Sequence, residues 1–169
     1  MSIRSFKGKS PQFDESCYID QDAVLIGDIC LGKNCSIWPC AVIRADVNKI
    51  QIGDNVSIQD NCVLHVSKAK STKIGSNTVI GHGAIIHSCE IGENCVIGMG
   101  ATILEGAKIA KGAVIGANSL VREGQKIGEM EVAVGVPAVV KKKADNLSLN
   151  IHLLEEYSSL LKDLKEDSS

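Results

Sequence analysis

The chain has 169 residues, 44% of them hydrophobic, and a formal net charge of −2, a balance that argues against a nucleic acid or membrane-surface partner. No stretch approaches the roughly 18 consecutive apolar residues of a membrane span. Seven cysteines without a CxxC pair, and a start (Met1 to Lys7) without an apolar signal segment, predict a cytoplasmic chain with free thiols.

From the N-terminus onward the chain is a repeat. Aliphatic residues recur every sixth position at Ile19, Leu25, Leu31, Ile37 and Ile43, with Phe13 one step earlier. Extra residues 47–51 follow, and the phase resumes at Ile52, Ile58 and Leu64. A second insertion, 67–72, precedes Ile74, Ile80 and Ile86. After one hexad that is a residue short come Ile91, Ile97, Ile103, Ile109, Ile115, Val121 and Ile127. The fifth place of each hexad is mostly small, and Cys17, Cys35, Cys62 and Cys95 fall there, where a thiol packs as a small hydrophobe. Cys89 lies two residues beyond His87, at a less determined place.

A period of six fits neither a lone helix nor an alternating strand. It fits an all-β solenoid of short parallel strands, three hexads to a triangular coil and about six coils in the stack. The domains expected are the solenoid over 1–140 and a C-terminal amphipathic helix and tail over 141–169. In the latter, Leu149, Leu153, Tyr157, Leu160, Leu161 and Leu164 recur at helical steps, with Asp145 or Ser148 as the cap. That apolar stripe is expected on a solenoid face or a neighbouring subunit. His152 lies on this helix and reads as an ordinary surface or packing histidine.

With three hexads per coil, every third hexad stacks. The hexads of Ile43, Leu64 and Ile86 then share a face, and their second positions are Arg44, His65 and His87. His65 and His87 become neighbours about 4.8 Å apart, a spacing that suits two imidazoles on one metal ion. His82 falls on the preceding face, in the column of Asp60. To meet the other two it needs a corner or a subunit boundary, and a three-fold assembly would provide three such boundaries. Arg44, Asp46, Gln59 and Asp60 crowd the same columns, so the residues alone leave two readings open, a metal site or a polar interface.

The hexads, Ile43-Arg44-Ala45-Asp46, Ile58-Gln59-Asp60-Asn61 leading to His65, and His82 with His87 together resemble the gamma-class carbonic anhydrases over nearly the whole chain, from about residue 10. The resemblance implies a left-handed parallel β-helix and a homotrimer with zinc at each subunit interface. It implies His65 and His87 as ligands from one subunit and His82 from its neighbour. Arg44, Asp46 and Asp60 would form an interfacial ion-pair group that clamps the trimer, and Gln59 would be the catalytic residue that orients zinc-bound solvent. The implied reaction is zinc-hydroxide attack on carbon dioxide to give bicarbonate, with a small-molecule substrate and Fe2+ or Co2+ as alternative ions.

Two departures set the chain apart within that family. Val47 stands where the best-studied branch carries a glutamate, and the loop after His65 is short and basic, Ser67-Lys68-Ala69-Lys70-Ser71-Thr72-Lys73. The pattern resembles the short-loop branch, in which hydration is often weak or absent. Other chemistry compatible with hexapeptide solenoids is acyl transfer from, or hydrolysis of, an acyl-CoA. A third reading is a non-catalytic trimer held together by its metal.

Overall fold

The computed structural model describes residues 2–145 and 147–167, with the side chains of 147, 158 and 161–167 left aside. The chain winds into a left-handed parallel β-helix of about seven turns followed by one C-terminal helix; the period-six pattern predicts the solenoid, and the resemblance implies its hand. Each turn contributes a short strand to three faces. Face A carries Ile19, Ile37, Ile58, Ile80, Ile97 and Ile115 in register. Face B carries Leu25, Ile43, Leu64, Ile86, Ile103 and Val121. Face C carries Leu31, Ile52, Ile74, Ile91, Ile109 and Ile127.

The interior is a stack of these aliphatic rungs. Twelve large side chains, Leu25, Ile43, Leu64 and Ile86 among them, are under 2% exposed. Each such side chain contributes about 1.5–3 kcal/mol on removal from water, before chain entropy is set against it. The small fifth positions close the corners: Cys35, Cys62 and Cys95 are buried, and burial pushes their thiols up to about 12, 11 and 11. Cys17 is only half-buried.

Most corners need one residue in the left-handed region, three places after the interior aliphatic. Asn34, Asn55, Asn61, Asn77, Asn94 and Asn118 supply it, alternating with glycines and with Cys40 and Met130. At the C–A corner the asparagines also bond to one another: Asn34 Nδ2 donates to Asn55 Oδ1 at 3.3 Å, and Asn55 Nδ2 to Asn77 Oδ1 at 3.0 Å. The short hexad after Ile86 is explained in the same terms. There the left-handed residue is Ser88, two places on instead of three, so the corner closes with one residue fewer.

Both insertions lie at the B–C corner. Residues 47–49 swell the single strand Val42–Ile52, which bends from face B to face C. Beneath it Gly27 makes the matching bend, with φ +87° and a Cβ that would sit 2.2 Å from the Ala45 carbonyl oxygen. The second insertion, between Val63–His65 and Thr72–Ile74, leaves the face count unchanged.

The stack departs from the sequence pattern at both ends. A seventh rung on face A, Glu131–Val134, carries Ala133 as its interior residue instead of a large aliphatic, so the period does not announce it. The next strand, Val139–Lys143, runs past residue 140 and pairs antiparallel with it. At the other end, Ser2–Arg4 adds a strand beneath Val24–Ile26 on face B. Phe13 continues the aliphatic series in sequence but is 40% exposed.

The helix Leu147–Asp167 lies on face A. Ser148 falls inside its first turn and is not the cap. Asn150 and Tyr157 face the solenoid: Asn150 Nδ2 donates to the Asn77 carbonyl at 2.6 Å, and Tyr157 packs edge-on against Trp38 at 5.4 Å. Leu149 and Leu160 of the expected stripe are exposed, because the inward face is centred on Asn150, Leu153, Leu154 and Tyr157. The side chains of Leu161 and Leu164 lie outside the described residues. His152 is exposed.

Candidate metal centre

The B–C corner holds one group of the candidate residues. Arg44, His65 and His87 stand on successive rungs in direct register, each just beyond a buried aliphatic that fixes its height. The His65 and His87 ring centres are 5.4 Å apart. Two imidazoles sharing one tetrahedral ion at about 2.0–2.1 Å hold their centres roughly 5 Å apart, so the pair has the spacing such an ion needs.

Asp46 hangs over this pair from the swollen corner. Its Oδ1 accepts from His65 Nε2 at 3.0 Å, and its Oδ2 pairs with Arg44. Burial pushes the Asp46 carboxyl up, but the His65 and Arg44 hydrogen bonds together outweigh it and hold the group below the usual carboxylate range. With Nε2–H donated to Asp46, the His65 ring presents Nδ1 as its lone-pair nitrogen, the carboxylate–histidine arrangement common behind metal ligands. The loop beyond is pinned by Thr72 Oγ1 donating to the His65 carbonyl at 3.1 Å and Ser67 N donating to Ser88 Oγ at 2.6 Å.

The A–B corner holds the other group. His82 sits between Gly81 and Gly83, one rung above Asp60, and its Nδ1 lies 2.8 Å from Asp60 Oδ2. Gln59 is buried beneath, and its Oε1 accepts the His82 backbone N–H at 3.0 Å. The Tyr157 hydroxyl reaches the remaining ring nitrogen, Nε2, at 3.1 Å. Burial pushes the Tyr157 phenol up, the charges of Glu156 and Asp60 push the same way, and a hydrogen bond from Gln59 opposes them.

One chain therefore brings His65 and His87 together with Asp46 and Arg44, and brings His82 together with Asp60 and Gln59, at two different corners. Asp60 does not join Arg44 and Asp46 within the chain, because it stands across face B from them. No group of three His, Cys, Asp or Glu able to hold a metal ion exists among the described residues of a single copy. Face B, which separates the two corners, presents Val24, Val42, Val63, Ile85, Thr102 and Leu120 outward, with Val63 39% and Ile85 45% exposed.

Cys89 is not part of either group: it is buried, and burial pushes its thiol up to about 12. Beside Asp46, Val47 is exposed at a cleft of about 320 Å³ that Lys7, Lys9 and Lys68 also line. Tyr157 is the residue that sequence reasoning misses. In the sequence it is one apolar step of a helix, and nothing local marks a contact with His82, 75 residues away.

The family model for bacterial transferase hexapeptides (six repeats) matches residues 71–105 and 88–123. Gamma carbonic anhydrase 2, mitochondrial, of Arabidopsis thaliana is 40% identical over 141 residues, which are 80% of this chain and 51% of that protein. A carbonic anhydrase of Geobacillus kaustophilus is 45% identical over 65 residues, 38% of this chain and 36% of that one. The chain thus spans about half the length, or less, of these curated relatives. Among solved structures, a candidate acetyltransferase of Bacillus cereus, the BC4754 gene product, superposes with a TM-score of 0.94 at 37% identity, covering 98% of this chain and 97% of that one. A hexapeptide transferase family protein of Anaplasma phagocytophilum gives 0.91 at 34% identity, covering 96% and 97%.

Proposed function

Since the chain is a gamma-carbonic-anhydrase-like member of the hexapeptide-repeat family, we propose that three copies assemble around face B and share metal centres, with hydration of carbon dioxide to bicarbonate as the reaction. In each centre His65 and His87 of one subunit meet His82 of the next. The observation that carries this reading is the placement of the two half-sites on opposite edges of an exposed aliphatic face. Packing that face against a copy covers Val63 and Ile85 and brings opposite corners together, as a closed three-fold ring requires.

The donor set suits the ion. Three imidazoles, two of them backed by carboxylates, favour zinc, with Fe2+ or Co2+ the alternatives. When bound, such an ion activates a water molecule near neutral pH. The chain's own residues supply positioning. Asp46 and Asp60 fix the tautomer and angle of His65 and His82. Gln59 holds the His82 backbone with its carbonyl, which leaves its amide for Tyr157 and for solvent beside the centre. Arg44 and Asp46 form an ion pair at the rim, where they clamp the neighbouring copy.

A second reading is favoured by one feature. His82 with Asp60 on Nδ1 has the geometry of an oriented general base, which an acyl-CoA transferase or thioesterase would use. Elemental analysis of anaerobically purified protein, with stopped-flow carbon dioxide hydration and acyl-CoA hydrolysis run on the same sample, separates the two. One metal ion per chain and measurable hydration support the shared centre. Metal-free, fully folded trimer with acyl-CoA turnover sinks it.

A further inference from the structure

His82 has no nitrogen to spare. Its Nδ1–H donates to Asp60 Oδ2 at 2.8 Å, so Nε2 carries the lone pair, and the Tyr157 hydroxyl donates to that lone pair at 3.1 Å. An ion binding His82 needs the same electrons. Asp60 has no cause to yield, because its bond supports the ring whether a proton or a metal occupies the far side. The phenol is the group that competes.

Building on the shared metal centre proposed above, we infer that Tyr157 is a latch: it caps His82 in the metal-free protein, and metal loading displaces it and loosens the C-terminal helix from face A. The helix is held in a manner that permits this. Among the described residues its polar anchors on the solenoid are Asn150 and Tyr157, seven residues apart. Leu149, Ile151 and Leu160 are 46%, 52% and 44% exposed, so the apolar contact of the described residues is carried by the half-buried Leu153 and Leu154 and the Tyr157 ring. Asn150 Oδ1 is buried with no hydrogen-bond partner among the described residues, so movement of the helix returns an unsatisfied atom to water.

The molecule contains its own reporter. Trp38 is the sole tryptophan, is 8% exposed, and touches Tyr157 edge-on at 5.4 Å, with Ser36 and Ser57 Oγ accepting from its indole N–H. Release of the latch uncovers the indole. Binding at the His65 and His87 corner alone leaves it covered.

The test is a titration of metal-free full-length protein with Zn2+ alone, following Trp38 emission and its quenching by iodide, with bound zinc measured in parallel. Emission should move to longer wavelength, and quenching should rise, in proportion to zinc bound. Tyr157→Phe keeps the ring on Trp38 but removes the competing hydroxyl. It should bind zinc about fivefold more tightly, the factor expected for one net hydrogen bond, with a smaller change in emission and unchanged helix content. Zinc that binds the wild type and is lost in His82→Ala, but leaves Trp38 silent or binds Tyr157→Phe no more tightly, overturns the latch and leaves the shared centre standing. Zinc that fails to bind the wild type, or binds His82→Ala equally well, overturns the shared centre and the latch with it.

Discussion

The two half-sites are built by different means. The His65 and His87 pair is made wholly of solenoid: two adjacent rungs in register, each imidazole next to a fully buried aliphatic, with one carboxylate from a swollen corner. The His82 group also begins with stacked rungs, Asp60 under His82, but is completed by a side chain from the distant helix. The first is as rigid as the core beneath it. The second is only as fixed as the docking of Leu147–Asp167, in which Leu149, Ile151 and Leu160 face away from the solenoid. A centre assembled from one of each has an invariant half and an adjustable half.

The largest effect expected of any substitution is all-or-none. His65→Ala and His82→Ala should each abolish metal binding in a homotrimer. Subunits of the two variants, unfolded and refolded together, should recover metal at roughly one site in three of the mixed trimers, because one boundary then joins an intact pair to an intact His82. No recovery on mixing, measured by elemental analysis of the isolated trimers, would break the division into half-sites on different chains.

Next in size is the support of the rigid half. Ile86 is fully buried beside His87, and Ile86→Ala should cost about 2–5 kcal/mol in urea unfolding. Gln59→Ala probes the adjustable half. It leaves the His82 backbone N–H without its acceptor, at a cost of about 1–3 kcal/mol, while sparing metal content and lowering any hydration rate. Loss of metal in equal measure would make Gln59 a support for the ligand and nothing more. The smallest effect is at the rim. Arg44 is 45% exposed in its side chain, so Arg44→Ala should shift unfolding by under about 1 kcal/mol yet promote dissociation on dilution. A mass by light scattering that stays trimeric at every concentration would remove it from the clamp.

Much of this is legible in the residues themselves. The interior aliphatics announce the period, and counting by threes puts His87 over His65 and His82 over Asp60, because parallel rungs carry register without shift. The face count survives both insertions since each swells a corner, the first as a bulge within the strand Val42–Ile52, and the pairing resumes in phase on face C. What cannot be read depends on contacts that counting does not reach. Tyr157 meets His82 through a tertiary packing choice of the helix, and the outward turn of Leu149 and Leu160 follows from the same choice. Arg44 turns to Asp46 two residues on, whereas the family resemblance groups it with Asp60 as well. The seventh rung escapes because Ala133 packs in a column otherwise filled by larger aliphatics.

The position of the histidines within the stack has a consequence for how the protein comes apart. Strands Val63–His65 and Ile85–His87 are the fourth and fifth of seven on face B, counting from Ser2–Arg4. In a solenoid each rung is held chiefly by its nearest neighbours, so opening begins at the ends and travels inward. Amide exchange should therefore be quickest in the terminal coils and slowest around Leu64 and Ile86. Breathing at either end leaves the paired imidazoles in place, and coils could be added or trimmed there without moving them.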